Sequence, residues 1–375
     1  MPVTIAPYSE KDIPAVREFN RRLRAAGAPE DSVFSETPIS PWLPPSADAP
    51  LYNEFFLALD EGAVRGAYAL KHQEFAFGGE KRRLVYYHHP YSEGVVNRKY
   101  TQVGLLMLMH VMRANPLLYA LGMGSYDRPL PRMLLALQWQ HCTIPFYFRV
   151  NHPARFLRNL RALRESGAKR ALANAAAASG AGWLGLKLLH GVRGFSGMRA
   201  RARVEEVSAF GDWTDEIWND CAAGYAMIGV RDAASLRALY PASNRNFLRL
   251  RVSAGGRTIG WAAAADIPWH GHEQFGDLRV GAILDGLARP EHAGLVIAAA
   301  TRALLDRGVD LLTSNQSHAA WQRALRRCGF LEGPSNFIFA VSKKLSAILH
   351  PFGETVPRSH INRGDGDSLM PYTYL

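Results

Sequence analysis

The pattern of hydrophobic and polar positions predicts the same order of strands and helices twice along the chain. An alternating stretch at 3–8 predicts a strand, and the amphipathic stretch after it predicts a helix that begins at Ser9 and stops at Gly27. Alternation on both sides of Glu61-Gly62 predicts a hairpin, and the run RRLVYYHHPYSEGVV predicts a third strand. A buried helix, an apolar strand, a second helix and an aromatic strand then lead to residue 150. The same order returns between about 205 and 345.

The last elements of the two copies also align with each other residue by residue. Segments 124–139 and 315–330 align without a gap, and the alignment continues through the next strand until Val150 meets Val341. Such a duplication predicts an α/β fold of two units, each a mixed sheet with helices on both faces. We expect 1–150 as the first unit, 151–204 as a basic helical connector, 205–345 as the second unit and 346–375 as a C-terminal tail. The Gly-rich tail is predicted to pack as an arm across a cleft.

The basic charge of the chain is concentrated in the connector. Residues 151–204 hold eleven Lys and Arg residues against the single acid Glu165, and so carry +10 of the net charge of +11. Arginines beside Trp183 and its apolar neighbours favour either a helix at an anionic membrane surface, through 155–203, or a solvated bridge between the units. The uncharged run from Ala171 to Leu186 is shorter than the roughly 20 apolar residues that a membrane span needs.

Composition narrows the class of protein. A chain of 375 residues can bury a separate core in each of two units. The three cysteines lie far apart, so we expect no disulfide framework, no metal site and a reducing compartment. The first residues lack the apolar core of a signal peptide, which predicts a cytoplasmic protein, with attachment to the inner face of the membrane as the alternative.

A basic segment stands directly before the buried helix of the first unit. The first N–H groups of a helix have no partner inside it, and neighbouring cations favour a bound negative charge. The segment therefore predicts an anion site. Its residues are Arg98, Lys99, Tyr100, Thr101, Gln102, Val103 and Gly104.

The element order and this loop resemble the GCN5-related N-acetyltransferases (GNATs), in a tandem form with two such units. That family binds the pyrophosphate of an acyl-CoA on backbone amides between its fourth strand and the next helix, in a loop of the pattern Gln/Arg-x-x-Gly-x-Gly/Ala. Here the run from Lys99 to Gly104 takes that place, with Gln102 where the family has its first glycine. The equivalent loop of the second unit carries Glu291, which would repel a pyrophosphate. The resemblance therefore implies that the first unit binds acetyl-CoA or another acyl-CoA as a co-substrate.

The strand before this loop holds the densest cluster of groups suited to acid–base chemistry. We predict Glu93 as the base that takes a proton from the acceptor, and His89 as the alternative base. Tyr126 follows the next strand, where the family often places its acid. Strict alternation would put Tyr87, His89 and Tyr91 on one face of the strand. A purely structural strand, rich in tyrosine and with its histidines satisfied by neighbours, would show the same sequence.

The resemblance implies an acyltransferase that moves an acetyl or other acyl group from acyl-CoA to an amine or hydroxyl of a small-molecule or saccharide acceptor. Two alternatives stay open. An enzyme of the Fem type would use aminoacyl-tRNA, although the connector lacks the interleaved aromatics of a single-strand binder, so nucleic acid is not the expected partner. A non-catalytic protein of the same fold would bind a partner or an anionic membrane surface.

Overall fold

The computed structural model describes residues 3–28, 33–40, 43, 48–159, 202–272 and 276–367. The chain divides into two compact units, each assembled from separate stretches of sequence. The first unit comprises Met1–Phe75, Lys81–Thr143 and Asn336–Gly353, and the second comprises Ala76–Glu80, Ile144–Ser335 and Glu354–Leu375. No helix within the described ranges is long and apolar enough to cross a membrane.

The elements are numbered in chain order. The strands are β1 (Thr4–Pro7), β2 (Leu51–Asp60), β3 (Ala63–Phe77), β4 (Glu80–Ser92), β5 (Leu118–Leu121), β6 (Gln140–Thr143), β7 (Phe146–Val150), β8 (Arg203–Glu206), β9 (Ile228–Gly229), β10 (Phe247–Ala254), β11 (Arg257–His272), β12 (Gly276–Ala288), β13 (Leu311–Asn315), β14 (Leu331–Gly333) and β15 (Ile338–Val341). The helices are α1 (Ile13–Ala25), α2 (Val103–Ala114), α3 (Pro129–Ala136), α4 (Pro153–Asn159), α5 (Trp213–Cys221), α6 (Ala233–Leu239), α7 (Ala293–Asp306), α8 (Ala319–Arg327), α9 (Lys343–Ile348) and α10 (Phe352–Thr355).

The first unit is built on a mixed sheet of strand order β1-β2-β3-β4-β5-β15-β6. β2 and β3 form the predicted hairpin, and both turn residues, Glu61 and Gly62, have positive φ, as a tight two-residue turn requires. One face of the sheet packs on α2 and α3 through a core that includes Tyr87 and Met107. The other face packs on α1 through Leu57 and its neighbours. The predicted α/β sheet with helices on both faces is confirmed.

The second unit repeats this plan with the order β14-β7-β13-β12-β11-β10-β8. β10, β11 and β12 form an antiparallel meander, and β13 joins β12 in parallel. The Ala-rich helix α7 approaches β11 closely because Gly260 leaves room for Val296, whose Cγ2 atom lies 3.0 Å from the place of a Cβ.

The last strand of each half lies in the sheet of the other unit, which corrects the expected ranges 1–150 and 205–345. β7 pairs with β13, where Val150 faces Leu311, and with β14. β15 pairs with β5, where Phe339 faces Leu121, and with β6. The two strands are short, aromatic and alike in sequence, so each fits between the same kind of antiparallel neighbours. The sequence alignment that relates them therefore could not tell which sheet each one enters.

Parts of the connector and tail lie outside the described residues. The connector begins with α4, in keeping with the predicted helix, and its basic stretch from 160 to 201 is not described. The prediction of a membrane-surface helix concerns that stretch and stays a prediction. The tail is described as far as residue 367.

Candidate active site

The first unit has an opening between its two central strands. β4 and β5 run in parallel, and only the pairs Val85–Leu118 and Tyr86–Tyr119 join them in the described chain. At the end of this paired region, the Tyr86 hydroxyl donates to the carbonyl oxygen of Leu121 at 2.8 Å. Beyond these pairs β4 continues for six more residues, to Ser92. A ligand can therefore lie against β4 where β5 no longer covers it.

The main chain of β4 changes direction at His89. This residue has a φ of 48°, in the left-handed region that non-glycine residues rarely adopt within a strand. Tyr87 accordingly packs in the core beside α2, whereas Tyr91 packs against the cluster beside α1. The expected alternation, with Tyr87, His89 and Tyr91 on one face, is wrong because the left-handed residue shifts the pleat. Such a local irregularity bends a strand and changes the direction of its side chains, as β-bulges next to active sites do.

Two short 3-10 turns, Glu93–Val95 and Arg98–Tyr100, link β4 to α2. They pack so closely that a Cβ on Gly94 would lie 2.8 Å from Thr101 Cα and closer still to the carbonyl oxygen of Tyr100. The Tyr100 hydroxyl donates to Asp60 Oδ2 at 3.2 Å, and its ring lies 4.4 Å from the Arg65 guanidinium. These contacts fix the loop and therefore the position at which α2 begins.

The anion site that the sequence predicts would lie at the first turn of α2. The first intrahelical bond runs from Leu106 N to the carbonyl oxygen of Gln102 at 3.0 Å, so the N–H groups just before Leu106 belong to the unpaired helix start. The helix dipole adds partial positive charge there. Of the predicted residues, Arg98, Lys99, Thr101 and Gln102 are exposed, Gly104 is half-buried, and Tyr100 and Val103 are buried. Those two buried side chains support the loop, and only their backbone can meet a ligand.

Glu93 has a structural role, which corrects its assignment as the base. Its side chain is only 6% exposed, and it accepts from Arg22 Nη2 at 3.0 Å and from Arg65 Nη1 at 3.1 Å. Its carbonyl oxygen also accepts from the N–H groups of Val96 and Asn97. Both carboxylate oxygens thus accept from buried or half-buried guanidinium groups, and neither is left to contact an acceptor. Arg22 comes from α1, 71 residues away, so the sequence around Glu93 gives no sign of it.

The other two predicted catalytic residues lie at different places in the unit. His89 is exposed on β4, with its ring 4.8 Å from that of His88. Tyr126 is 39% exposed and follows β5. Its hydroxyl lies 3.1 Å from Thr143 Oγ1, and its ring meets His141 edge to face at 5.4 Å. Both residues stay candidates, His89 as a base and Tyr126 as an acid.

His88 is the ionisable residue that the sequence prediction passed over. It is 5% exposed, and neither ring nitrogen has a hydrogen-bond partner in the described part of the chain. Burial lowers the pKa of His88 well below its usual value, with smaller contributions from His89 and Lys71. The imidazole is therefore neutral at pH 7, and it is a weak base because burial disfavours its protonated form. It stacks on Tyr86, the last residue of β4 that pairs with β5, at 4.7 Å.

The tail contacts the corresponding opening in the second unit. β12 and β13 pair as far as Ile283 and Ser314. Beyond that pair the segment 359–365 bonds to both sides of the opening. Ser317 N donates to the carbonyl oxygen of Ile361 at 3.0 Å, and Asn362 Nδ2 donates to Asp285 Oδ1 at 2.7 Å. Within the described residues, this segment lies at the ends of β12 and β13, where it bonds to both; that the whole tail packs as an arm across a cleft stays a prediction.

A buried ion network holds the segment in place. Arg231 donates to Asp285 Oδ2 and to Asp365 Oδ1, each at 2.6 Å, and all three side chains are at most 1% exposed. Burial opposes the charge on Arg231, but Asp285 and Asp365 outweigh it and raise the pKa of the guanidinium. Asp285 also accepts from the Tyr240 hydroxyl at 3.0 Å. With both oxygens engaged, Asp285 is committed to structure.

Comparison with known proteins identifies the fold. No protein-family model and no curated protein matches the sequence. Among solved structures, N-myristoyltransferase of Saccharomyces cerevisiae with bound myristoyl-CoA matches with a TM-score of 0.52 at 9% identity, over 91% of this chain and 79% of that one. A tandem GNAT protein from the clavulanic acid biosynthesis pathway matches with a TM-score of 0.49 at 12% identity, over 91% of this chain and 98% of that one. The chain therefore shares the fold of this N-myristoyltransferase, which agrees with the tandem GNAT fold that the sequence resemblance implied.

Proposed function

On this tandem fold, we propose that the protein transfers an acyl group from an acyl-CoA to an amine or hydroxyl of a small acceptor, and that the first unit binds the acyl-CoA. The observation that carries the proposal is the difference between the two openings. The one beside β4 has an irregular strand that leads to an exposed, basic helix start. In the described part of the chain, its counterpart beside β12 is bonded on both sides to the tail segment 359–365.

The start of α2 suits the diphosphate of coenzyme A. Its free N–H groups and the dipole of this 12-residue helix favour negative charge, and the exposed side chains of Arg98 and Lys99 add two cations. In the second unit Arg289 is already paired with Asp220, and Glu291 adds a negative charge to the equivalent turn. Electrostatics therefore favour the first unit as the donor site.

In the proposed transfer, the acceptor nitrogen or oxygen forms a bond to the acyl carbon while the carbon–sulfur bond breaks. The acceptor loses a proton, and the coenzyme A thiolate gains one. Backbone N–H groups of β4 near His89 are the candidates that stabilise the thioester oxygen. His89, exposed on β4 beside the opening, is the proposed base in place of Glu93. Tyr126 is the proposed acid for the departing thiol.

Calorimetric titration with acetyl-CoA and with myristoyl-CoA tests the donor site. We expect binding that weakens at least tenfold in Lys99→Glu, because the substitution replaces an attractive charge beside the helix start with a repulsive one. Lys344→Glu, the same charge reversal at an exposed position of α9, is the matched control and should bind as the original protein does. The proposal fails if neither thioester binds, or if both variants bind equally well.

Turnover is measured separately as acceptor-dependent release of the coenzyme A thiol. Glu93→Gln, His89→Asn and Tyr126→Phe distinguish the proposed roles once a turnover signal is seen. A protein that binds acyl-CoA without releasing thiol in the presence of any amine or hydroxyl acceptor would support the non-catalytic alternative instead.

A further inference from the structure

Exposed large apolar side chains are concentrated in one short stretch of the first unit. Five of the six such side chains in the described chain lie between residues 95 and 135, and the sixth is Ile39. The five are Val95, Leu105, Leu106, Tyr126 and Leu135. Single apolar side chains are normal at a protein surface, whereas a concentration of them marks a place where another body binds.

The topology of the first unit brings this stretch to one outer layer. β4 and β5 run in parallel, so the helices that follow them, α2 and α3, begin at the same edge of the sheet. Both helices pack on the same face of that sheet, α2 through Met107 and α3 through Leu134. The outer side of this pair of helices, with the turns that lead into them, is called the α2–α3 face.

The helix α2 is apolar on more sides than its packing requires. Its side chains toward the sheet are buried, namely Val103, Met107, Leu108 and Val111. On the outer side, Leu105 and Leu106 are 43% and 42% exposed. A helix that is apolar on every side is normally buried on every side. The equivalent helix of the second unit, α7, has no exposed large apolar side chain, so the fold itself does not demand this pattern.

The same stretch carries an excess of positive charge. Between residues 95 and 135 there are five Lys and Arg residues against the single acid Asp127. All five are exposed, and none forms an ion pair within the described ranges; they are Arg98, Lys99, Arg113, Arg128 and Arg132. Several exposed arginines of the second unit are paired instead, as Arg289 is with Asp220 and Arg307 with Glu206. The α2–α3 face is therefore both apolar and cationic.

This combination decides which partner the face suits. A second copy of the chain would set cations against cations across a two-fold interface. The connector 151–204 carries +10 and would be repelled in the same way. A single-stranded nucleic acid needs aromatic side chains for its bases, and Tyr126 is the one exposed aromatic residue among the described side chains of this stretch. An anionic lipid surface offers phosphates to the cations and an apolar layer to the aliphatic side chains.

We propose that the α2–α3 face binds an anionic membrane surface, with its cations at the lipid headgroups and with Val95, Leu105 and Leu106 at the boundary with the acyl chains. This contact goes beyond the proposed function and does not depend on it, because it needs no acyl-CoA. Three of the cations, which follow the segment 98–104, lie outside the proposed diphosphate site. A bound acyl-CoA would therefore leave them available to lipid.

Co-sedimentation of the full chain with vesicles tests the proposal. One set of vesicles contains phosphatidylcholine and phosphatidylglycerol in equal amounts, and the other contains phosphatidylcholine alone. We expect binding to the anionic vesicles only, and weaker binding as the salt concentration rises. Leu105→Gln combined with Leu106→Gln keeps the helix propensity and should lower the partition coefficient by about tenfold or more. Arg128→Glu combined with Arg132→Glu should lower it by about tenfold or more as well.

Two control variants change the same properties elsewhere in the first unit. Arg17→Glu combined with Arg21→Glu makes the same change of charge at exposed positions of α1, which covers the opposite face of the sheet. Ile39→Gln changes the exposed apolar side chain that lies outside the α2–α3 face. Both controls should bind the anionic vesicles as the original protein does, and thermal unfolding checks that each variant folds.

Loss of binding in both face variants and in neither control supports the proposal. It is overturned if the original protein does not bind the anionic vesicles, if it binds both kinds of vesicle equally, or if it binds single-stranded RNA but no vesicle. Normal binding by both folded face variants also overturns it and assigns the membrane contact to another part of the chain, such as the connector. Failure to bind acetyl-CoA would reject the proposed function and leave this proposal unaffected.

Discussion

Gly94→Ala perturbs the loop that positions the start of α2. The new Cβ would lie 2.8 Å from Thr101 Cα and 2.8 Å from the carbonyl carbon of Tyr100, whereas ordinary contact begins at 3.4 Å. The atoms it meets belong to the backbone, so no side chain can rotate out of the way. One of the two 3-10 turns must therefore move by more than half an ångström.

The expected cost follows from this geometry. Overpacking a tight site lowers the free energy of unfolding by about 1–3 kcal/mol, and the loss is at the lower end of this range where a loop can shift. Thr101 lies two residues before α2 begins, so its displacement passes directly into the helix start. If acyl-CoA binds there, we expect its Kd to rise about 10- to 100-fold, which corresponds to about 1.4–2.8 kcal/mol.

The assay is titration of acetyl-CoA into Gly94→Ala and into Gly353→Ala. Gly353 lies in the first unit on α10, and a Cβ there meets nothing within 4 Å, so this variant isolates the effect of the clash. Circular dichroism and thermal unfolding check that both variants fold. If Gly94→Ala folds and binds acetyl-CoA as tightly as Gly353→Ala, then either the diphosphate does not use this helix start or the loop is not held as described.

Three further results are expected. Glu93→Gln should lower the free energy of unfolding by about 2 kcal/mol in urea denaturation, because it leaves two partly buried guanidinium groups without their carboxylate; a loss of turnover at unchanged stability would instead restore its role as a base. Burial lowers the pKa of His318 to about 3, so the unfolded chain binds its proton first, and stability is lost as the pH falls below about 6.5. Between pH 7 and pH 5 this amounts to about 2 kcal/mol, and His318→Asn, which keeps an acceptor for Ala320 N, should reduce the pH dependence by that amount; an unchanged slope would contradict the assignment. Gly364→Ala should destabilise the second unit by about 3 kcal/mol in the same assay, since its Cβ would lie 2.5 Å from the Tyr240 hydroxyl and 2.9 Å from Asp285 Cγ, and a stability equal to that of the original protein would show that the tail segment can move aside.

Local signals in the sequence predicted the elements well. The Glu61-Gly62 turn, the Ser9 helix start and the apolar pattern of α2 are each encoded within a few residues, and the structure has them where they were expected. The basic segment before α2 likewise predicted an exposed helix start, because capping and charge are local properties.

Features that depend on distant partners could not be predicted. The role of Glu93 is decided by Arg22 and Arg65, which are far from it in sequence. The shift of the pleat at His89 could not be predicted from the sequence, because the preference of histidine for positive φ is too weak to indicate it. The buried polar residues of β3 could be seen in the sequence, because Lys71 and Gln73 interrupt a mostly buried strand two residues apart, and that spacing places them on one face.

The exchange of β7 and β15 has a consequence for how the protein is made. β15, near position 340, lies between β5 and β6, although β1 to β6 are all complete by residue 143. At roughly 5–20 residues per second, the first unit waits on the order of 10–40 s during synthesis with the place of β15 open. A truncation near the end of the gene would thus damage the unit encoded at its beginning. Each half expressed alone would therefore lack one strand of its own sheet, β15 in the first half and β7 in the second.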